Sequence, residues 1–289
     1  MDTPRIAALL DPFLDFPLNP TRLDQTSTYI DLLLRWNARI NLTAVRDPEE
    51  IITRHFGESF FLARHVFPKH PQEAPLGFPT LEPEPPATVV DLGSGAGFPG
   101  LPVKIWAPEI HLTLIESNHK KAAFLREVVR ALTLTDVDVI AARAESIADQ
   151  WIEYDPPDSR LAPQMSSSSK KSLKNSTDAV FPTPATSSPG ARASITGADV
   201  VTFRAVEHFE HTLQLASHFL VPSGRLAILI TATQLPHLDP DPSSQLSCRA
   251  PDGTNNAPTA LRWVTYNVPQ SHKRLLAVSE PIKDKRKIK

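Results

Sequence analysis

The sequence predicts an α/β protein, with a doubly wound, mostly parallel sheet, an antiparallel terminal hairpin and a helical N-terminal extension. Three observations carry this expectation. From residue 87 onward, short apolar runs alternate with segments of helical period. The first of these runs empties into a glycine-rich turn that opens into a helix. Residues 1–67, by contrast, show helical spacing and no strand signal.

Taken in order, Leu23, Ile30, Leu33, Leu34 and Ile40 predict an amphipathic helix over 22–38. A second helix starts with Asp47 as N-cap, Pro48 at the first helical position and Glu50 at the capping-box position. Its apolar face runs Ile52, Phe56, Phe60, Ala63, Phe67. Two such helices make no domain alone, so residues 1–67 should pack on the α/β core. Ala87–Leu92, His111–Glu116, Val137–Ala141, Asp199–Phe203 and Arg225–Ile230 read as strands, with helices over 118–132 and 207–220. Arg262–Val268 and Arg274–Ser279 read as the terminal hairpin.

The 289 residues include 29 prolines, about twice the usual share of about 5%. Seven lie in 68–86, six in 156–190 and five in 236–258, among Ser, Asn, Asp and Glu. Such stretches bury too little apolar surface to offset their ordering entropy. Residues 68–86 therefore read as a linker, and 150–197 and 234–261 as disordered insertions within a ligand-binding domain over 87–289. No repeat of solenoid period is present.

Thirty Lys and Arg against 32 Asp and Glu give a formal charge of −2, so any nucleic-acid contact must use a local basic patch. Lys120, Lys121, Arg126 and Arg130 along one helix, and the tail Lys283–Lys289, are the candidates. The single cysteine, Cys248, excludes a disulfide framework and a thiolate zinc site. No apolar run approaches the roughly 20 residues of a membrane helix. Asp2, Asp11 and Asp15 interrupt the start, which is no signal peptide. A soluble cytoplasmic protein is expected.

The most informative segment is Asp91-Leu-Gly93-Ser-Gly95-Ala-Gly97-Phe-Pro-Gly100. Glycines there allow a sharp turn and close approach of a ligand to the backbone. Gly95-x-Gly97-x-x-Gly100 matches the dinucleotide fingerprint. However, Asp91 closes the strand, and a carboxylate beside a pyrophosphate is electrostatically poor. It better suits a cationic amino group, such as the methionine end of S-adenosylmethionine. Glu116 ends the second strand, where a carboxylate can accept from ribose hydroxyls in either reading.

Three blocks then resemble one family. They are Trp36-Asn37 with Asn41-Leu-Thr-Ala-Val-Arg-Asp-Pro-Glu-Glu50 and Arg54-His55; Asp91 through Pro102; and Lys120-Lys121, Phe124-Leu125, Arg143-Ala144-Glu145 and Arg204-Ala205. Their order and spacing are similar to the bacterial methyltransferases that modify nitrogen 7 of a guanine in 16S ribosomal RNA, also called glucose-inhibited division protein B. The resemblance implies a class I methyltransferase (Rossmann-like) fold, S-adenosyl-L-methionine as cofactor, and 16S ribosomal RNA or the small ribosomal subunit as partner. It places cofactor contacts on Gly93, Phe98, Ala144, Glu145 and Arg204. Phe98 would be an apolar wall, Ala144 and Glu145 would read the adenine edge, and Arg204 would orient cofactor or base. No metal and no membrane are implied, and a monomer is expected.

The chain departs from the family where a Lys-Gly commonly follows the fifth strand, for here Thr231-Ala232-Thr233-Gln234 stands. Methylation of a ring nitrogen that already has a lone pair needs positioning rather than a catalytic base, so no catalytic residue is assigned. Two alternatives stay open at this point: an NAD-binding oxidoreductase, and a non-catalytic binding protein on a nucleotide fold. His55 could meet a base, but a lone His on an amphipathic helix is more often structural.

Overall fold

The computed structural model describes residues 2–68, 85–152, 197–206, 208–238 and 261–281. Seven strands form one sheet in the order β3-β2-β1-β4-β5-β7-β6. They are β1 (Thr88–Leu92), β2 (His111–Ile115), β3 (Val137–Ile140), β4 (Ala198–Arg204), β5 (Leu220–Thr231), β6 (Trp263–Asn267) and β7 (Arg274–Ser279). β3 through β5 pair in parallel, while β7 runs antiparallel between β5 and β6. This is the doubly wound sheet with a terminal hairpin that the alternation of periods predicted. The strand order reverses between β1 and β4, so the switch point at which such sheets hold ligands lies above those two strands.

The helices are α1 (Thr3–Leu10), α2 (Pro20–Asn37), α3 (Pro48–Ile51), α4 (Glu58–Val66), α5 (Gly100–Trp106), α6 (His119–Ala131), α7 (Ala144–Ile152) and α8 (Phe209–Ser217). Asn19 caps α2 by accepting from the Arg22 amide, and Asn118 caps α6 by accepting from the Lys120 and Lys121 amides. Asp47 caps α3 as expected, accepting from the Glu50 amide at 2.9 Å. The capping box is not completed, because the Glu50 carboxylate pairs with Arg54 one turn ahead.

Each sheet face has its own core. One carries Val89, Leu112, Leu114, Val200 and Leu229 against α2, α4, α5 and α6. The other carries Val90, Leu92, Val201, Phe203 and Ile228 against α7 and α8. The N-terminal helices thus form part of the first layer. Tyr29 of α2 is fully buried and donates from Oη to the Ala96 carbonyl in the glycine turn. Lys104 is buried too, and its ammonium is satisfied by the carbonyls of Pro108 at 2.7 Å and Ile110 at 2.5 Å.

Some boundaries differ from expectation. Thr3–Leu10, which the sequence left without an element, is helical because Ile6 and Leu10 are buried beneath it. The helix predicted from Asp47 is continuous but passes through a π-helical segment, Ile52–Gly57. The first insertion starts later than residue 150, since α7 extends to Ile152. The second starts later than 234, since a 3-10 turn over Ala232–Leu238 buries Leu238. The linker from 69 to 84, the remainder of both insertions, Cys248 and the basic tail lie outside the described residues.

Candidate functional site

Four strand ends meet at the switch point. β1 runs into Gly93, Gly95 and Gly97, with φ of 65°, 58° and 89°. That left-handed path is open to glycine at little cost. At Gly97 the need is also steric, because a Cβ would strike Tyr29 Oη and Leu101. Gly93 is different: a Cβ there would find only Val206 at 3.7 Å. Its outer face is open for a ligand to approach.

Glu116 follows β2 and is 6% exposed. Its two carboxylate oxygens accept from the backbone amides of Gly95 (2.8 Å) and Asn118 (2.7 Å). It therefore ties the glycine turn to the start of α6. One lone pair on each oxygen is thus already engaged by the backbone. Each oxygen keeps another.

Asp91 lies deeper than expected. Its side chain is fully buried, Oδ2 accepts from the Gly100 amide at 3.3 Å, and Oδ1 has no partner among the described residues. Burial pushes its carboxyl up to about 7. The carboxylate packs against Gly100, where an added Cβ would lie 2.7 Å from Oδ2.

Phe98, expected as an apolar wall, packs largely within the protein. Its ring stacks on Tyr29 (centroids 5.4 Å) and on His55 (4.9 Å), and Phe56 meets it edge-on at 5.1 Å. With 7% exposed, the ring bonds the turn to the N-terminal helices and leaves little wall for a ligand. Ala144 and Glu145 open α7 just past β3, where Ala144 is half-buried and Glu145 is exposed. Glu145 comes within 3.8 Å of His211, a contact between two half-exposed groups that contributes little.

Arg204 ends β4 and is the largest departure from the expected strand-end charge. It is 9% exposed, and its Nη2 lies 3.3 Å from Glu58 Oε2. Nη1 is buried without a partner among the described residues. Burial lowers its guanidinium to about 10, against the opposing pull of Glu58. Arg274, at the start of β7, donates to the same Glu58 oxygen at 2.7 Å. His55 sits beside this group with Nε2 2.8 Å from Thr43 Oγ1, and burial together with Arg204, Arg54 and Arg274 lowers its imidazole to about 2. It is a neutral, packed histidine. Thr202, paired with Asp91 across β1 and β4, also leaves a buried hydroxyl without a partner among the described residues.

Glu58 was not foreseen. A glutamate in an amphipathic helix reads as solvated until the fold brings positions 204 and 274 to it. The one available signal was its place three residues after His55. Where the family has its lysine, the Thr231 amide and hydroxyl instead bond to Gln234 Oε1 at 2.9 and 3.1 Å, closing the 3-10 turn on itself.

A family model described as GidB, rRNA small subunit methyltransferase G, matches residues 22–176. A ribosomal RNA small subunit methyltransferase G of Roseiflexus castenholzii is 44% identical over 130 residues, 45% of this chain and 49% of that protein. One of the same name from Xylella fastidiosa is 40% identical over 154 residues, 53% of this chain and 64% of that protein. The chain spans about half the length of the curated relatives it matches. Among solved structures, a ribosomal protein L11 methylase from Lactobacillus delbrueckii subsp. bulgaricus is 11% identical, covering 78% of this chain and 79% of that one at a TM-score of 0.42. That likeness adds nothing to the strand order. These matches lend no support to an NAD-binding oxidoreductase or a non-catalytic binding protein.

Proposed function

The chain belongs to the rRNA small subunit methyltransferase G family, and we propose on that premise that it transfers a methyl group from S-adenosyl-L-methionine to nitrogen 7 of a guanine in 16S ribosomal RNA. The observation that carries the reading is the glycine turn at the switch point, open at Gly93 and flanked by Glu116 and by a buried guanidinium with a free Nη1.

These residues suit the cofactor. Gly93 would let its backbone approach, and the spare lone pairs of Glu116 would accept from ribose hydroxyls. Ala144 and Glu145, past β3, would meet the adenine edge. The free Nη1 of Arg204 would take a carboxylate in a charge-assisted bond. When bound, S-adenosylmethionine supplies an electrophilic methyl on a sulfonium. The protein's part is then to align guanine nitrogen 7 with that methyl and keep water out. The nitrogen carries an in-plane lone pair and no proton, so no base is needed. No helix of the described residues is long and apolar enough to cross a membrane. The same reading makes the protein a cytoplasmic monomer that meets the small ribosomal subunit or its RNA.

The test has two arms. Calorimetry should show S-adenosylhomocysteine binding and no heat with NAD. Labelled methyl should pass to small subunits that lack the modification, and chain cleavage at 7-methylguanine should locate it. Heat with NAD and none with S-adenosylhomocysteine would overturn the proposal.

A further inference from the structure

Beside the switch point lies a cavity of about 150 Å³ that the cofactor reading does not use. Thr53, Arg54, Glu58, Gln270, Ser271 and Arg274 line it. It opens at the same edge of the sheet as the glycine turn, because Arg274 pairs with Thr231 at the end of β5. Arg204, at the end of β4, connects the two places through Glu58.

The charges in this cavity are arranged unequally. Arg204 and Arg274 both contact Glu58 through Oε2. No hydrogen bond to Oε1 is seen among the described residues, although the side chain is only 3% exposed. A carboxylate held through one oxygen keeps the other as a strong acceptor, and Glu58 is part of the cavity lining. Two local features set it there. The π-helical segment Ile52–Gly57 directly precedes Glu58, and such segments occur often at functional sites. Gln270, also in the lining, turns the chain with φ of 57°.

The two arginines of the lining are each already paired with a carboxylate, Arg54 with Glu50 and Arg274 with Glu58, so the cavity is not laid out for a phosphate. A group that offers two adjacent N–H donors would be held by Glu58, and an acceptor beside those donors would meet a guanidinium. The Watson–Crick edge of guanine has that order: the amino group, N1–H, then O6. Its opposite edge, with nitrogen 7, stays free.

We propose that this cavity receives the target guanine, and that Glu58 is the specificity-determining residue, accepting from N1–H and the 2-amino group. Arg54 or Arg274 lies on the side of O6. The inference rests on the methyltransferase reading above. It requires an unpaired guanine, since pairing would occupy the edge that Glu58 reads, and sequence-specific recognition of RNA generally targets such splayed bases.

Inosine lacks the 2-amino group but keeps nitrogen 7, so it isolates this contact. Small subunits are reconstituted with guanosine or inosine at the mapped position, and transfer is compared for the wild-type protein and Glu58→Gln. The wild type should favour guanosine by about tenfold to a hundredfold in kcat/KM, the range expected for a hydrogen bond to a charged group. Glu58→Gln should lose most transfer to guanosine and erase the preference; because Glu58 also holds Arg204, S-adenosylhomocysteine affinity is measured beside that of Arg204→Ala, and it is the lost preference between the two bases that reads the base contact. Equal wild-type rates on the two bases would overturn the inference even if Glu58→Gln failed to fold. So would a Glu58→Gln protein that keeps the preference. If the wild type transfers nothing to guanosine subunits, the methyltransferase reading itself fails and this inference falls with it.

Discussion

Two guanidiniums share one oxygen of Glu58 at the end of β4, and this changes what the loss of Arg204 should do. At an exposed strand end the fold would not notice an alanine. Inside the buried pair, Arg204→Ala removes a charge-assisted contact, worth about 1.5–3 kcal/mol, although Arg274 still holds Glu58. We expect a melting point lower by several degrees and methyl transfer reduced at least about tenfold, equivalent to about 1.4 kcal/mol in the barrier. Arg204→Lys should recover much of the stability and little of the transfer, because an ammonium keeps the charge and loses the planar fork. Labelled methyl transfer to unmodified small subunits, with a thermal melt of the same preparations, checks both. Full transfer by Arg204→Ala would reduce the residue to a structural ion pair. The sequence marked Arg204 because its motif falls at a strand end. It could not mark Glu58 or Arg274, since positions 58, 204 and 274 meet only through the sheet.

At the scale of elements, the glycine turn was legible because its reason is local. A strand must stop, reverse and start a helix within a few residues, and three left-handed positions accomplish it. The glycines are nonetheless unequal. A Cβ on Gly97 would collide with Tyr29 Oη and Leu101, both buried. On Gly95 it would meet only the Gly93 carbonyl at 3.7 Å. Gly95→Ala should therefore cost the left-handed strain alone, about 1–2 kcal/mol. Gly97→Ala should cost more than about 3 kcal/mol, since strain and overpacking add, or prevent folding outright. Urea denaturation of the two variants tests the contrast, and equal losses would contradict it. The π segment was not legible. Ile52, Phe56, Phe60 and Ala63 keep a helical stripe and are fully buried, so the pattern looks regular while the backbone is not. What the sequence lacks there is the tertiary partner: a Cβ on Gly57 would stand 2.7 Å from the Phe13 ring. The stacking partners of Phe98 were hidden for the same reason, because they lie on helices far away in sequence.

Across the whole molecule, two buried groups with opposite titration behaviour lie on either side of the seam between the N-terminal helices and the glycine turn. His55 has an ordinary value of 6.5 and is lowered to about 2, chiefly by burial. Below 6.5 the unfolded chain takes a proton that the folded one refuses, so this group withdraws stability as pH falls through that range. Asp91 has an ordinary value of 3.8 and is raised to about 7, also by burial. Between those values the folded chain holds a proton that the unfolded one has released, so this group withdraws stability as pH rises. Each acts at about 1.4 kcal/mol per pH unit. From about pH 4 to 6.5 the two slopes have opposite signs and cancel. Single substitutions should expose them. Relative to the wild type, Asp91→Asn should gain stability as pH rises across this window, and His55→Asn should lose it, each by about 1.4 kcal/mol per unit. Any constant offset from lost stacking or a lost hydrogen bond leaves these slopes untouched. Urea unfolding free energies at about pH 4.5, 5.3 and 6 measure them. Variant curves parallel to the wild type would mean that neither group keeps its buried, uncharged form, and that the seam between the N-terminal helices and the sheet admits water.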